Sequence, residues 1–161
     1  MKKIYQDKFG NGNDEPENMG NCYPACVATL LSMELHEVPH FHAMGMKWEE
    51  IWSWLRERGV YVMPMEWPLM PEWHTLMTGT FGVFDGESPR FEDGTLHAVV
   101  GEITEGGWKL LHDPHPEGNG FSGEPKYVEI FHMHPFNGRA AELQAQNPGS
   151  ELAGTCTEDH G

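Results

Sequence analysis

Basic residues are scarce in this chain of 161 residues, which has 10 Lys and Arg against 25 Asp and Glu and a formal net charge of −15. A strongly acidic surface repels phosphate backbones and anionic lipid. The sequence also lacks an apolar run of transmembrane length, and its first residues lack the apolar core of a signal peptide. We therefore expect a cytoplasmic protein that binds neither nucleic acid nor membranes.

Cysteine is rare as well, with three residues at positions 22, 26 and 156. An odd number without regular spacing argues against a disulfide framework and fits a reducing compartment. The length favours one domain with a real core, which we place in residues 1–135. Beyond these the chain has few large apolar residues, so we predict that residues 136–161 form a mobile extension with a short helix at Ala140–Gln146 and a free thiol at Cys156.

Hydrophobic periodicity predicts a mixed α+β fold. A small-residue helix is expected from Cys22 to Met33, and an amphipathic helix from Lys47 to Arg58 that ends at Gly59. Two Pro residues, Pro68 and Pro71, make Met65–Met77 read as an irregular loop. The predicted strands are Val60–Met63, Gly79–Asp85, Leu96–Ile103, Trp108–Asp113 and Tyr127–His132, after a short strand or extended arm at Lys3–Lys8.

The stretch Gly20–Leu31 reads as a loop that turns into a buried helix. Asn21 is a favourable N-cap, and Pro24 suits the first turn, where its missing N–H costs nothing. Cys22 would then lie beside unpaired backbone N–H groups at the positive end of the helix dipole. That environment favours the thiolate, so Cys22 is a candidate nucleophile, although a small buried packing cysteine would look similar.

A hairpin supplies the second half of the candidate site. If its turn is centred near Glu105, then His97 on one strand lies directly opposite Asp113 on the next. Opposed side chains share a face with Cβ atoms about 4.5–5.5 Å apart, which allows a carboxylate–imidazole hydrogen bond. Such a bond fixes the imidazole tautomer and stabilises the imidazolium. The alternative is an exposed His–Asp pair at a sheet edge, since a register slip of one residue would separate the two side chains.

The order of Cys at a helix start, then His and Asp on neighbouring strands, resembles that of papain-like cysteine peptidases and amidohydrolases. Leader-peptide peptidases of bacteriocin exporters carry Gln, then Asp-Cys-Gly-x-Ala-Cys, then His and Asp, and Gln6, the segment 21–26, His97 and Asp113 occupy those places here. The chain also looks like small proteins of tailed phages and bacteria with His-Ala-Val-Val-Gly and His-Asp-Pro-His-Pro.

The resemblance implies a papain-like fold in which a nucleophile helix packs on an antiparallel sheet. It implies a triad of Cys22, His97 and Asp113 that needs no metal or other cofactor, and it makes Gln6 a donor to the oxyanion beside the Cys22 backbone N–H. The expected function is hydrolysis of a peptide or amide, with acyl transfer to an amine, as in transglutaminase-like enzymes, as the near variant. Tyr23 replaces the Gly that follows the nucleophile in the peptidases, and Asn21 replaces the acidic residue before it, so the substrate class stays open.

Two alternatives remain beside this reading. The chain could be a catalytically inactive papain-like binding module, or a zinc-stabilised adaptor built on its cysteines and histidines. The side chains that could hold a metal are Cys22, Cys26, His112, His115, His132 and His134. We expect Cys26, one helical turn beyond Cys22, to be a core residue. Four tryptophans could line a cleft in either role, although tryptophan more often packs in a core: Trp48, Trp52, Trp67 and Trp73.

Overall fold

The computed structural model of the chain describes residues 1–12 and 15–133. The predicted helix at Ala140–Gln146, the thiol of Cys156, the side chain of His134 and the extension at residues 136–161 therefore lie outside the described residues. Three helices are present, α1 (Cys22–Leu31), α2 (Trp48–Arg56) and α3 (Pro71–Met77). The five strands are β1 (Val60–Glu66), β2 (Phe81–Glu87), β3 (Leu96–Thr104), β4 (Gly107–His112) and β5 (Tyr127–Met133).

The strands form one antiparallel sheet in the order β1-β5-β2-β3-β4. The last strand along the chain is inserted between the first two, because β5 pairs with both β1 and β2. The predicted α+β class is confirmed, and most predicted strands are present with small changes in their bounds.

Two apolar clusters lie on opposite faces of the sheet. The cluster on one face joins α1 and α2 to the sheet, with Val27 and Ile51 fully buried against residues such as Val83. The other cluster joins α3 to the sheet and includes Met77 and Phe84. The sheet is therefore covered on both faces, which fits the long apolar runs in its central strands.

Helix α1 forms where the sequence predicts it, and its small apolar residues are buried nearly all round. The predicted N-cap is wrong in its mechanism, because the Asn21 side chain makes no capping hydrogen bond. Its Oδ1 instead accepts hydrogen bonds from the backbone N–H groups of Asp7 and Lys8, at 3.1 and 3.0 Å. Asn21 thus fastens the N-terminal arm to the start of α1.

The arm is extended, and it is also tied to the end of β4. The backbone N–H of Gln6 donates to Pro114 O at 3.0 Å, and His112 Nε2 donates to Ile4 O at 2.6 Å. On the other side Ile4 N–H donates to Thr29 Oγ1 of α1 at 3.0 Å. These bonds hold the arm between α1 and the β3–β4 hairpin.

The prediction of an irregular loop at Met65–Met77 is wrong, since α3 occupies its second half. Pro71 stands in the first turn of this helix, where a proline's fixed φ and missing N–H cost nothing. Of the two prolines that suggested a loop, Pro71 therefore marks a helix start. Strand β1 also extends through Pro64 to Glu66.

Candidate active site

Cys22 is the first residue of α1 and is partly exposed. The helix therefore places its thiol next to backbone N–H groups that have no partner within the helix. Cys26, one turn further along, is fully buried, and burial raises the pKa of its thiol well above the usual range. The two thiols have opposite environments, and only Cys22 is accessible.

The predicted contact between His97 and Asp113 is present, with Nε2 of the imidazole 2.7 Å from Oδ1 of the carboxylate. Both side chains are buried. Asp113 accepts two further bonds from backbone N–H groups, His115 to Oδ1 and Gly120 to Oδ2, each at 2.8 Å. The loop after β4 therefore fixes the carboxylate, and the carboxylate fixes the imidazole ring.

The pairing that brings them together differs from the predicted register. Gly101 pairs with Leu110, where the prediction requires Lys109, so the hairpin is out by one residue. Continued regularly, that register would put His97 and Asp113 on opposite faces. The register shifts again between Gly101 and Val100, which pairs with His112, so Leu111 is an extra residue on β4. This β-bulge returns Asp113 to the face of His97, diagonally across from it.

The charge state of His97 follows from its neighbours. Burial alone would lower the pKa of this imidazole, but the hydrogen bond to Asp113 and the interactions with the Cys22 thiol outweigh burial and raise the pKa to about 9. Burial would raise the pKa of Asp113, yet the bonds from His97, His115 and Gly120 hold it below its usual value. At neutral pH the pair is therefore an imidazolium and a carboxylate. Because Nε2 is bonded to Asp113, the ring nitrogen that remains for Cys22 is Nδ1.

Gln6 is buried at the same site, on the arm that passes the end of β4. Its Nε2 donates one hydrogen bond to Lys8 O at 2.8 Å, which orients the amide plane and leaves a second N–H on the same nitrogen. Its Oε1 is buried and accepts no hydrogen bond. The amide of Gln6 is therefore held in a fixed orientation beside α1.

His112 lies apart from the His97–Asp113 pair. Its Nε2 is bonded to Ile4 O and its ring meets Tyr5 edge-on, with centroids 4.9 Å apart. It fastens the arm and is not placed to act on Cys22.

A cavity of about 630 Å³ contains the exposed part of this site and extends to both sides of it. One end, near Phe9 and Met19, includes Arg90, whose guanidinium donates to Gly118 O. The other end lies over β5, β2 and β1 beneath the start of α2. We call this second end the acidic lobe; its walls are Tyr23, His42, Trp48, Trp52, Pro64, Met65, Glu66, Asp85, Tyr127, Val128 and Glu129.

The carboxyl groups of Asp85 and Glu129 were not recognised from the sequence. Burial, with the neighbouring Glu129, raises the pKa of Asp85 to about 8, which His97 opposes, and burial raises the pKa of Glu129 to about 7. The hydroxyl of Tyr23 donates to Glu129 Oε2 at 2.7 Å. An acidic residue inside an otherwise apolar strand was the available signal, as in Tyr127-Val128-Glu129-Ile130.

The four tryptophans divide between the two faces of the sheet. Trp48 and Trp52 line the cavity, as one prediction allowed, and their rings stack with centroids 6.1 Å apart. Trp67 packs against Phe84 on the opposite face, so it belongs to the core. Trp73 does not line the cavity.

Within residues 1–12 and 15–133, no group of three or more His, Cys, Asp and Glu side chains is arranged to hold a metal ion. In the same residues no helix is both long enough and apolar enough to cross a membrane. Comparison of the chain with protein-family models, with curated proteins and with solved structures gave no match.

Proposed function

We propose that this chain is a cysteine-dependent hydrolase of amide bonds with a papain-like arrangement of its active site. The observation that supports this most directly is the buried His97–Asp113 pair, whose imidazole interacts with a cysteine at the first position of a helix. A packing role explains a buried cysteine, but it does not explain an accessible cysteine beside a charged histidine with its own carboxylate. Gln6 stands where an oxyanion donor is needed.

In the first half of the reaction the Cys22 thiolate attacks the carbonyl carbon of the substrate. The carbonyl oxygen becomes an oxyanion, which the Cys22 backbone N–H and the second N–H of Gln6 Nε2 stabilise. When the C–N bond breaks, the His97 imidazolium gives its Nδ1 proton to the leaving amine. The products are a free amine and a thioester on Cys22. Asp113 keeps the ring oriented while its charge changes.

In the second half a water molecule attacks the thioester carbon, and the neutral His97 takes a proton from it at Nδ1. The C–S bond breaks, the thiolate leaves, and the acid product carries the new oxygen. The resting pair of Cys22 thiolate and His97 imidazolium is then restored. Each half uses the same base and the same oxyanion donors, so no further residue is required.

Alkylation with iodoacetamide tests the nucleophile. At pH 6, where an ordinary thiol with a pKa of about 8.5 reacts slowly, we expect Cys22 to be modified first. Peptide mass mapping gives the rate at each site, with Cys26 and Cys156 as internal references. The His97→Gln variant should lose the fast reaction at pH 6, and unfolding in guanidinium should make the three rates similar. Fast labelling of Cys26 or Cys156 with an inert Cys22 would refute the assignment.

Turnover is tested with a mixture of synthetic peptides in water enriched in oxygen-18. Hydrolysis should produce new carboxyl termini that carry the heavy oxygen, and the Cys22→Ala variant should produce none. Amide products formed with an added amine, in place of acids, would identify an acyltransferase. A chain whose Cys22 is alkylated rapidly but which forms neither product would be a binding module that keeps the geometry without the reaction.

A further inference from the structure

The acidic lobe adjoins the triad directly through the register of the sheet. Asp85 on β2 pairs with Ala98 on β3, the residue after His97, and it pairs with Tyr127 on β5. Glu129 lies two residues further along β5, on the same side of the sheet. The two carboxyl groups therefore sit diagonally on neighbouring strands and face the same part of the cavity.

These two carboxyl groups have no cation of their own. Among the described residues that line the cavity, Arg90 is the one Lys or Arg, and its guanidinium is at the opposite end, bonded to Gly118 O. His97 is close enough to lower the pKa of Asp85, but its Nε2 proton is already shared with Asp113. In the described part of the chain no side chain donates a hydrogen bond to the Asp85 carboxyl group. Glu129 accepts one from the Tyr23 hydroxyl, and the effect of burial on the pKa of Glu129 is opposed by Tyr23 and by the Trp52 indole.

Aromatic rings form the rest of the lobe. Tyr23, Trp48 and His42 meet edge-on or at a tilt, with centroid separations of 5.2 to 5.8 Å, and Trp48 stacks on Trp52. Burial lowers the pKa of His42, so it adds no charge to this wall at neutral pH. The indole N–H of Trp52 is buried beside Glu129. Carboxyl groups at the floor, which ionise readily beside a positive charge, and aromatic faces at the side are the two features that bind organic cations.

We propose that the acidic lobe is a substrate subsite that binds one cationic group, a lysine ammonium or an arginine guanidinium, with Asp85 and Glu129 as its specificity-determining residues. The proposal rests on the proposed function, since it makes basic peptides the substrate class of the Cys22 site. Two neighbouring carboxyl groups without a countercharge are costly to ionise inside this cavity, and a substrate cation would supply the missing charge. The net charge of −15 also favours the approach of basic peptides.

Binding can be measured apart from turnover with the full-length Cys22→Ala variant and fluorescently labelled pentapeptides. The peptides differ only at the central residue, which is Lys, Arg, norleucine or Glu, and fluorescence anisotropy gives their dissociation constants. We expect the Lys or Arg peptide to bind at least about tenfold more tightly than the norleucine peptide. The better of the two identifies ammonium or guanidinium as the preferred cation.

Adding Asp85→Asn or Glu129→Gln should remove most of that preference, while Glu102→Gln should keep it. Glu102 is on β3 outside the cavity, so its variant makes the same change of charge away from the lobe. Equal binding of Lys, Arg and norleucine peptides, or a preference that survives both substitutions, would overturn the proposal. If one variant fails to fold, the other still decides.

The outcome is separable from that of the proposed function. Rapid alkylation of Cys22 without discrimination among the peptides would leave the hydrolase and remove the subsite. Discrimination that depends on Asp85 and Glu129, with an unreactive Cys22 in the parent protein, would keep a cation site and remove the hydrolase.

Discussion

Two pairs of titratable groups share one cavity and are held in opposite ways. His97 and Asp113 are joined at 2.7 Å, and backbone N–H groups complete the carboxylate's hydrogen bonding. Asp85 and Glu129 are two acids on neighbouring strands, and Glu129 accepts a hydrogen bond from the Tyr23 hydroxyl. The first pair contains its own countercharge. The second pair does not, since Arg90, the one Lys or Arg among the described residues of the cavity, lies at its other end.

The difference also fixes how each pair affects stability with pH. The raised pKa of His97 means that its contribution to folding is full below its ordinary value of 6.5 and is lost as the pH rises through about 9. The lowered pKa of Asp113 makes its contribution present above 3.8 and lost on further acidification. For Asp85 the raised pKa means that stability is lost as the pH rises from 3.8 to about 8. The triad pair therefore stabilises the fold at pH 6, where the acid pair already weakens it.

The largest loss of activity is expected when His97 is removed from the His97–Asp113 pair. Replacing His97 with Ala removes the proton donor and acceptor of both half-reactions, so kcat/KM should fall by about 10⁴-fold or more. Steady-state kinetics on a cleaved peptide give the value. The control is His36→Ala, which removes an exposed histidine outside the cavity. Comparable losses in both variants would show that His97 has no special role.

A smaller loss of activity is expected when Asp113 loses its charge but keeps its shape. In Asp113→Asn the amide oxygen can still accept from His97 Nε2, but the imidazolium is less stabilised, so we expect a loss of kcat that is smaller than that of His97→Ala. The pH at which iodoacetamide labels Cys22 at half its maximal rate should rise as well. The Glu102→Gln variant provides the matched loss of one charge. An unchanged labelling profile would contradict the role given to Asp113.

The smallest effect is expected at the Asp85–Glu129 pair, where a substitution should raise stability instead of lowering activity. Asp85→Asn removes a half-buried acid without a countercharge, so we expect the melting temperature at pH 8 to rise by about 2–4 °C. The gain should disappear at pH 4, where Asp85 is protonated in the parent protein. The nearby groups that titrate in this range, Glu129 and His97, are unchanged by the substitution. A loss of stability at pH 8 would mean that Asp85 makes a structural contact.

The sequence predicted which residues form the site, but not the backbone features that bring them together. Cys22 at a helix start and the His97–Asp113 contact could be inferred because each depends on local features, a small-residue helix and a short turn. The bulge at Leu111 could not be inferred. The one-residue difference in the hairpin register and the one-residue shift at the bulge add up to two residues, which restores the predicted face, and only the sheet shows them. Asn21 was assigned a cap because residue preference cannot tell a helix N–H from the N–H groups of a passing arm.

The acidic lobe escaped prediction for a different reason. Asp85 and Glu129 are 44 positions apart in the sequence, and they meet only because β5 is inserted beside β2. The same applies to Tyr23, which stands where the peptidase pattern has Gly. Its hydroxyl donates to Glu129, a residue that lies far from it in the sequence. Long-range strand order is not contained in hydrophobic periodicity, so groups that it brings together are invisible to motif analysis.

The extra residue at Leu111 also bears on how this hairpin can change length. A deletion of one residue within β4 can be absorbed when the bulge closes into regular pairing, with Asp113 still on the face of His97. An insertion of one residue cannot be absorbed in this way, because it would need a second bulge or would turn Asp113 to the other face of the sheet. The hairpin is therefore tolerant of shortening and intolerant of lengthening, and single-residue length variants of β4 should divide accordingly between active and inactive proteins.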